Sequence, residues 1–428
     1  MRQRLSNSRA PFATKFYYGW VIVVIGALGI FFSGPGQTYS ISVFVDSYID
    51  EFGWSRSDVT NLYSGATFLA GIGMMYIGRV VDRFGQRYIA VIIGVLLAIT
   101  SLWNAMVGNM IMLFFGFFLL RILGQGTMTL IPNTLVPQWF LKKRGTALSL
   151  MAIGGFASSA TFPIMNNWLV QEFGWRASWM FWGVAVLVIF VPLAFFLIRN
   201  KPEDLGLRPD GEVVLPKDGG DIVEDKEENW TLQEAKQTRA YWLILSCIGI
   251  PALVNTGLTF HLVSIFSENG LSPSWAATIL SVMAIFGFFI TPIAGTLLDR
   301  VPVTYVLAAI FIGEIIFLLL VLVANSAWAA ILFGVIWGMN GGFERIALNY
   351  VWPSFFGRKA LGSIKGTAMS VTVIGSAIGP LPFAYGYDAF GGYTEVILFS
   401  TVFPIVGVIC ALFAKKPAKA SLNRTAIS

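Results

Sequence analysis

Five ionisable side chains stand inside long apolar runs: Arg121, His261, Glu314, Glu344 and Arg345. A charge at the centre of a bilayer costs about 2.5–3.5 kcal/mol on insertion scales, so each must face an interior or a wet cavity. Arg121 lies about eleven residues into its run, roughly 16 Å deep at 1.5 Å per residue. Two uses fit it: holding an anion or coupling to protons, or simply hydrogen-bonding neighbouring helices. Glu344 and Arg345 are adjacent and project about 100° apart on a helix, so they do not neutralise each other face to face. Arg345 could instead pair with Glu314, leaving an intramembrane ion pair, or one of Glu344 and Arg345 could meet a ligand or proton. Histidine is the side chain whose ordinary charge change falls nearest neutral pH, so His261 reads either as a proton carrier or as a hydrogen-bonded wall residue.

Other chemistry is excluded. No H-E-x-x-H, Walker A or G-x-S-x-G pattern occurs, so no enzyme and no cofactor are expected. A single histidine and two cysteines, Cys247 and Cys410, leave no metal site and no disulfide framework.

The elements that must position these residues are long helices. The chain of 428 residues is 56% hydrophobic and 12% charged, about half the charge of a soluble domain. Apolar runs reach the roughly 20 residues that cross a hydrocarbon core. Twelve spans are expected, near 17–45, 57–78, 88–107, 110–138, 146–170, 177–198, 241–266, 274–298, 303–323, 327–352, 366–387 and 394–414. Gly34-Pro35-Gly36 should bend the first. The fold class is an all-α membrane protein with a six-helix bundle at 1–198, a charged linker at 199–240 and a second bundle at 241–428.

Charge orients the chain. With both termini cytoplasmic, 25 of the 29 Lys and Arg residues fall in cytoplasmic segments and only Arg56 and Arg176 in outer loops. The net charge of +6 is therefore an orientation signal in a cell membrane, not a nucleic-acid surface.

The chain repeats itself. "GRVVDR" at 78 matches "GTLLDR" at 295, "PQWF" at 137 matches "PSFF" at 353, "GTALSLMAIG" at 145 matches "GTAMSVTVIG" at 366, and "FGW" at 173 matches "FGG" at 390. The near-constant offset of about 217 residues describes two homologous six-span halves. With "GRVVDRFGQR" at 78–87 and "RILGQG" at 121–126, the chain resembles the major facilitator superfamily over its whole length. "YYGWVIV" at 17–23, "WFLKKRGTALSLMAIGG" at 139–155 and "KPEDLGLRPDG" at 201–211 resemble its monocarboxylate-porter and oxalate:formate-antiporter branches.

The resemblance implies a monomeric secondary transporter working by alternating access, on a small organic anion, with protons or by exchange. It implies that helices 1, 2, 4, 5, 7, 8, 10 and 11 line the cavity. Candidate contacts there are Gln37, Tyr39, Asn61, Tyr63, Gln125, Asn133, Asn166, Asn255, Trp337 and Asn340, each of which could equally hold helix to helix. The sequence departs from these branches in one respect: spans 8 and 11 lack the basic residues that such carriers place toward the cavity. An anion must then use Arg121, Arg345 or neutral donors. The alternative is an exporter of drugs or other small molecules, although "GGFASSATFP" at 154–163 has its proline too late for the antiporter pattern.

The charged loop at 78–87 carries Asp82, Arg83 and Arg87. A helix N-terminus offers about half a positive charge, so Asp82 is expected at the start of span 11, around Gly366 and Thr367. By the repeat, Asp299, followed by Arg300, is expected near Gly145 and Thr146. The pair would form a cytoplasmic gate.

Overall fold

The computed structural model describes residues 16–211, 228–272 and 274–419. Every regular element among them is helical. The long helices of the first half are α1 Gly19–Phe31, α2 Arg56–Phe84, α3 Gln86–Ala105, α4 Met110–Trp139, α5 Arg144–Phe173 and α6 Trp175–Leu197. Those of the second are α7 Arg239–Glu268, α8 Ser274–Leu298, α9 Val303–Leu322, α10 Ala327–Phe356, α11 Leu361–Phe390 and α12 Thr394–Phe413.

Among the described residues, eleven helices are long and apolar enough to cross a membrane. The sequence reading expected twelve spans. The helix that falls short is α10, which has 30 residues but whose apolar run is diluted by Asn340, Gly341, Gly342, Glu344, Arg345 and Asn349.

The chain divides into two compact units. The first runs to Trp230 and takes in Gly357–Thr367, the opening of α11; the second holds Thr231–Phe356 and the chain from Ala368.

In the first unit, α1 ends at a single tight turn, Gly34–Gly36, and short helical segments follow at Thr38–Ile41 and Val45–Phe52. Pro35 has no backbone N–H to continue the helical ladder. Opposite this bend, residues Leu120–Thr127 of α4 form a π-helical stretch, a widened turn that recurs at functional sites. The two irregularities meet: a Cβ built on Gly124 would lie 2.8 Å from the Cα of Gly36. Only a glycine pair lets the bend touch the wide turn. At Gly154, an added Cβ would overlap the Ala27 carbonyl, so α1 and α5 cross backbone to backbone. Stacked rings fill the far end, Phe44 on Trp179 at 4.3 Å and Phe162 on Trp182 at 3.9 Å.

The second unit packs α7, α9, α10, the later part of α11 and α12 around Leu258, Phe266, Phe317, Phe333, Trp337 and Phe383. α11 begins at Leu361, five residues ahead of the expected limit of 366. The helix therefore includes Lys365, which the sequence reading left in a loop.

Candidate functional site

Arg121 is the second residue of the π-helical stretch of α4 and is 6% exposed. Its Nη1 donates to the Gly36 carbonyl at 3.1 Å and to Thr38 Oγ1 at 3.2 Å. Its guanidinium lies 5.1 Å from the centre of the Tyr63 ring, a cation–π distance. Tyr63 Oη and Thr38 Oγ1 are hydrogen-bonded at 2.8 Å. Among the described residues, Nε of Arg121 has no hydrogen-bond partner and no carboxylate pairs with the side chain. A hollow of about 90 Å³ borders Thr38 and Tyr63. The bend in the first span creates this site, since it turns the Gly36 carbonyl out of the helical ladder and toward α4.

The other polar candidates of the first unit divide into wall and surface. Asn166 is structural: it is buried, donates to Ser40 Oγ at 2.9 Å and accepts from Trp182 Nε1 and Ser178 Oγ. Tyr39 donates to Ser158 at 2.8 Å, and Gln37 donates to Ser33 at 2.9 Å. Asn61 is exposed on α2, and Gln125 is half-buried in the π-helical stretch. Asn133 donates to the Thr129 carbonyl, while its own carbonyl accepts from Lys365 Nζ at 3.1 Å. Lys365 is 4% exposed, so α11 does bring a buried cation against α4.

In the second unit, Trp337 donates to Asn255 at 2.8 Å, and Asn255 donates to Glu344 at 3.2 Å. This chain ties α10 to α7. The expected pairing of Glu314 with Arg345 is not formed. Glu314 is fully buried, and neither carboxylate oxygen has a hydrogen-bond partner among the described residues, whereas Arg345 is exposed. The 100° step between residues 344 and 345 turns Arg345 away from the core that holds Glu314. Asn340 packs against Gly313, and its Nδ2 has no partner among the described residues. His261 has both ring nitrogens engaged, Nδ1 with Tyr393 Oη at 3.0 Å and Nε2 with the Pro380 carbonyl at 3.3 Å, and it stacks on Phe383.

The charged stretch around Asp82, read as a loop, is the last turn of α2, which runs to Phe84, and it gives the tightest polar constellation. Asp82 accepts from the backbone N–H of Gly362 at 2.8 Å, and from the N–H and Oγ of Ser363 at 2.6 Å each. These two amides belong to the first turn of α11, whose N–H groups have no partner inside the helix. Asp82 thus acts as an N-cap supplied by another helix, one turn ahead of the expected Gly366 and Thr367. Glycines allow the approach: a Cβ on Gly362 would lie 2.6 Å from the Gly78 carbonyl, and one on Gly366 would lie 2.7 Å from the Met74 carbonyl. Thr367 donates back to the Ser363 carbonyl at 3.2 Å. Gly78, Gly362 and Ser363 are residues of this site that sequence reasoning missed; the glycine that opens "GRVVDR" was the available signal for the first.

The neighbouring arginines differ. Arg83 is exposed beside Phe84. Arg87 holds the end of α6, with Nε and Nη2 donating to the Phe195 carbonyl at 3.1 and 2.8 Å. Gly145 is buried and Thr146 half-buried at the start of α5; Asp299 is half-buried and Arg300 exposed just after α8.

Known proteins match most of the chain. The aspyridones efflux protein apdF of Emericella nidulans is 24% identical over 95% of this chain and 79% of its own. The glucose transporter GlcP of Staphylococcus epidermidis is 25% identical over 93% of each chain. The cis,cis-muconate transport protein of Acinetobacter baylyi is 24% identical over 93% of this chain and 95% of its own. Among solved structures, the E. coli fucose:proton symporter FucP superposes with a TM-score of 0.71 at 14% identity, over 94% of this chain and 100% of that one. The signature described as the Major Facilitator Superfamily matches residues 26–380 and 257–427. The chain is a multi-pass membrane transporter, not an enzyme, and it belongs to the Major Facilitator Superfamily.

Proposed function

We propose that this transporter moves a small organic anion, a mono- or dicarboxylate, by alternating access, coupled to protons or by exchange. The observation that carries the reading is Arg121. A buried guanidinium without a carboxylate partner, with Nε–H unused among the described residues, is an anion receptor waiting for its anion, because a carboxylate accepts paired N–H donors from the guanidinium fork. The muconate relative supports this reading. The rest of the arrangement follows the sequence: α10 as a twelfth span, two six-helix pseudo-repeats, a monomer in the cell membrane with both termini cytoplasmic, and Asp82 and Asp299 as the gate residues of the two halves.

A panel of carboxylates tested for thermal stabilisation of the purified protein checks the reading. One or more should raise the melting temperature of the wild type, and Arg121→Gln should weaken that ligand by about tenfold to a hundredfold, the worth of a hydrogen bond to a charged group. Stabilisation by sugars or cations and by no carboxylate would sink it. The apdF relative favours a second reading, export; counterflow from proteoliposomes loaded with the ligand found above decides the direction.

A further inference from the structure

The second unit carries two adjoining hollows. One, of about 410 Å³, runs along α9 and α10 between apolar residues including Val306, Ala309, Ile310, Ile336 and Met339. The other, of about 490 Å³, lies at the start of α9 and the end of α12, and its wall includes Thr304, Ser354, Lys415 and Lys416. Val301 and Tyr305 line both, so the two adjoin.

Their chemistry changes along that path as a bilayer does. α9 begins at Val303 and α12 ends at Phe413, so Lys415 and Lys416 stand just beyond the apolar spans, at the level of lipid headgroups. The apolar hollow extends to Gly313, about 15 Å along the helix at 1.5 Å per residue. That is about half of a 30 Å hydrocarbon core, the depth of one leaflet. Tyr305 at the junction is 63% exposed. Among the described residues, no carboxylate lines either hollow.

We propose that this groove binds one anionic glycerophospholipid, with the headgroup phosphate between Lys415 and Lys416 and one acyl chain in the apolar hollow. Charge selects the headgroup: basic pockets between helices at a membrane face recognise anionic lipids. The apolar hollow selects a lipid over a free anion, because a water-soluble phosphate has nothing to place there.

The test uses the full chain in neutral detergent, titrated with phosphatidylglycerol or phosphatidylcholine of identical acyl chains and read by native mass spectrometry. Wild type should bind phosphatidylglycerol more tightly by about thirtyfold, the attraction expected of two lysines at a membrane surface. Lys415→Gln with Lys416→Gln should bring the two lipids level. Ala309→Trp, at an exposed position, should fill the hollow and weaken both. Equal binding of the two lipids to wild type, or a preference that survives the lysine changes, overturns the proposal. So does unaltered binding to Ala309→Trp, or displacement of the lipid by inorganic phosphate at equal concentration.

Discussion

At the scale of single residues, depth in an apolar run was readable and partnership was not. Arg121 announces itself because a charge between apolar residues is conspicuous. Its contacts with Gly36, Thr38 and Tyr63 depend on a bend and a widened turn in different helices, which residue order does not reveal. Glu314 shows the same limit: its burial could be foreseen, but not that the exposed Arg345 would leave it alone. Outside the membrane spans, Glu51 is a cleaner case. Its carboxylate accepts from Arg176 at 2.6 Å and from Trp175 Nε1 at 2.7 Å, and the arginine hydrogen bond, then the tryptophan one, hold its carboxyl below the usual glutamate value. A carboxyl depressed in the folded state stabilises the fold above its unfolded value and ceases to do so as pH falls through the folded value. The pair is exposed, so the effect is small. Wild type should melt slightly above Glu51→Gln at pH 7, and the gap should close below the ordinary glutamate range; a gap that persists in acid removes the pair as its cause.

At the scale of elements, helix existence was legible from apolar length, and the irregular places were legible only in part. Gly34-Pro35-Gly36 foretold the bend in the first span. Nothing in "LRILGQGT" distinguishes a π-helical stretch from an α-helical one, since both need the same apolar pattern. The start of α11 was read late because Lys365 and Ser363 look like loop residues; a remote carboxylate satisfies the first-turn amides and lets the helix begin earlier. Asp82→Ala tests that account. It should cost about 1–2 kcal/mol, the usual worth of a helix cap, seen as a lower melting temperature and as faster amide exchange confined to the first turn of α11. Exchange there at the wild-type rate would mean that the cap does not hold the turn.

At the scale of the whole molecule, the repeat and the distribution of basic residues made the superfamily readable, because both are properties of linear order. Cargo was not, since it depends on a handful of side chains whose geometry is set by packing. The linker shows what linear order conceals. Read as a solvated connector, its described beginning is instead anchored: Asp210 accepts from the backbone amides of Leu141, Lys142 and Lys143, and Asn200 accepts from the Arg87 amide at 2.9 Å. The described end holds the loop before α11, with Asn229 Oδ1 accepting from the amides of Arg358 and Lys359. Asp210→Ala should speed hydrogen exchange at residues 141–143 by about tenfold, one charged hydrogen bond's worth; unchanged exchange would mean those amides are protected by something else.

The contact at the head of α11 is made of one carboxylate, one hydroxyl and backbone brought close by Gly78, Gly362 and Gly366. None of these residues bonds to Arg121 or lines the hollow beside Thr38 and Tyr63. On the proposed function, recognition at Arg121 and helix capping by Asp82 are independent modules. Residues around Arg121 can therefore change while the Asp82 cap on α11 stays fixed, so the first turn of that helix keeps its partner whatever the cargo.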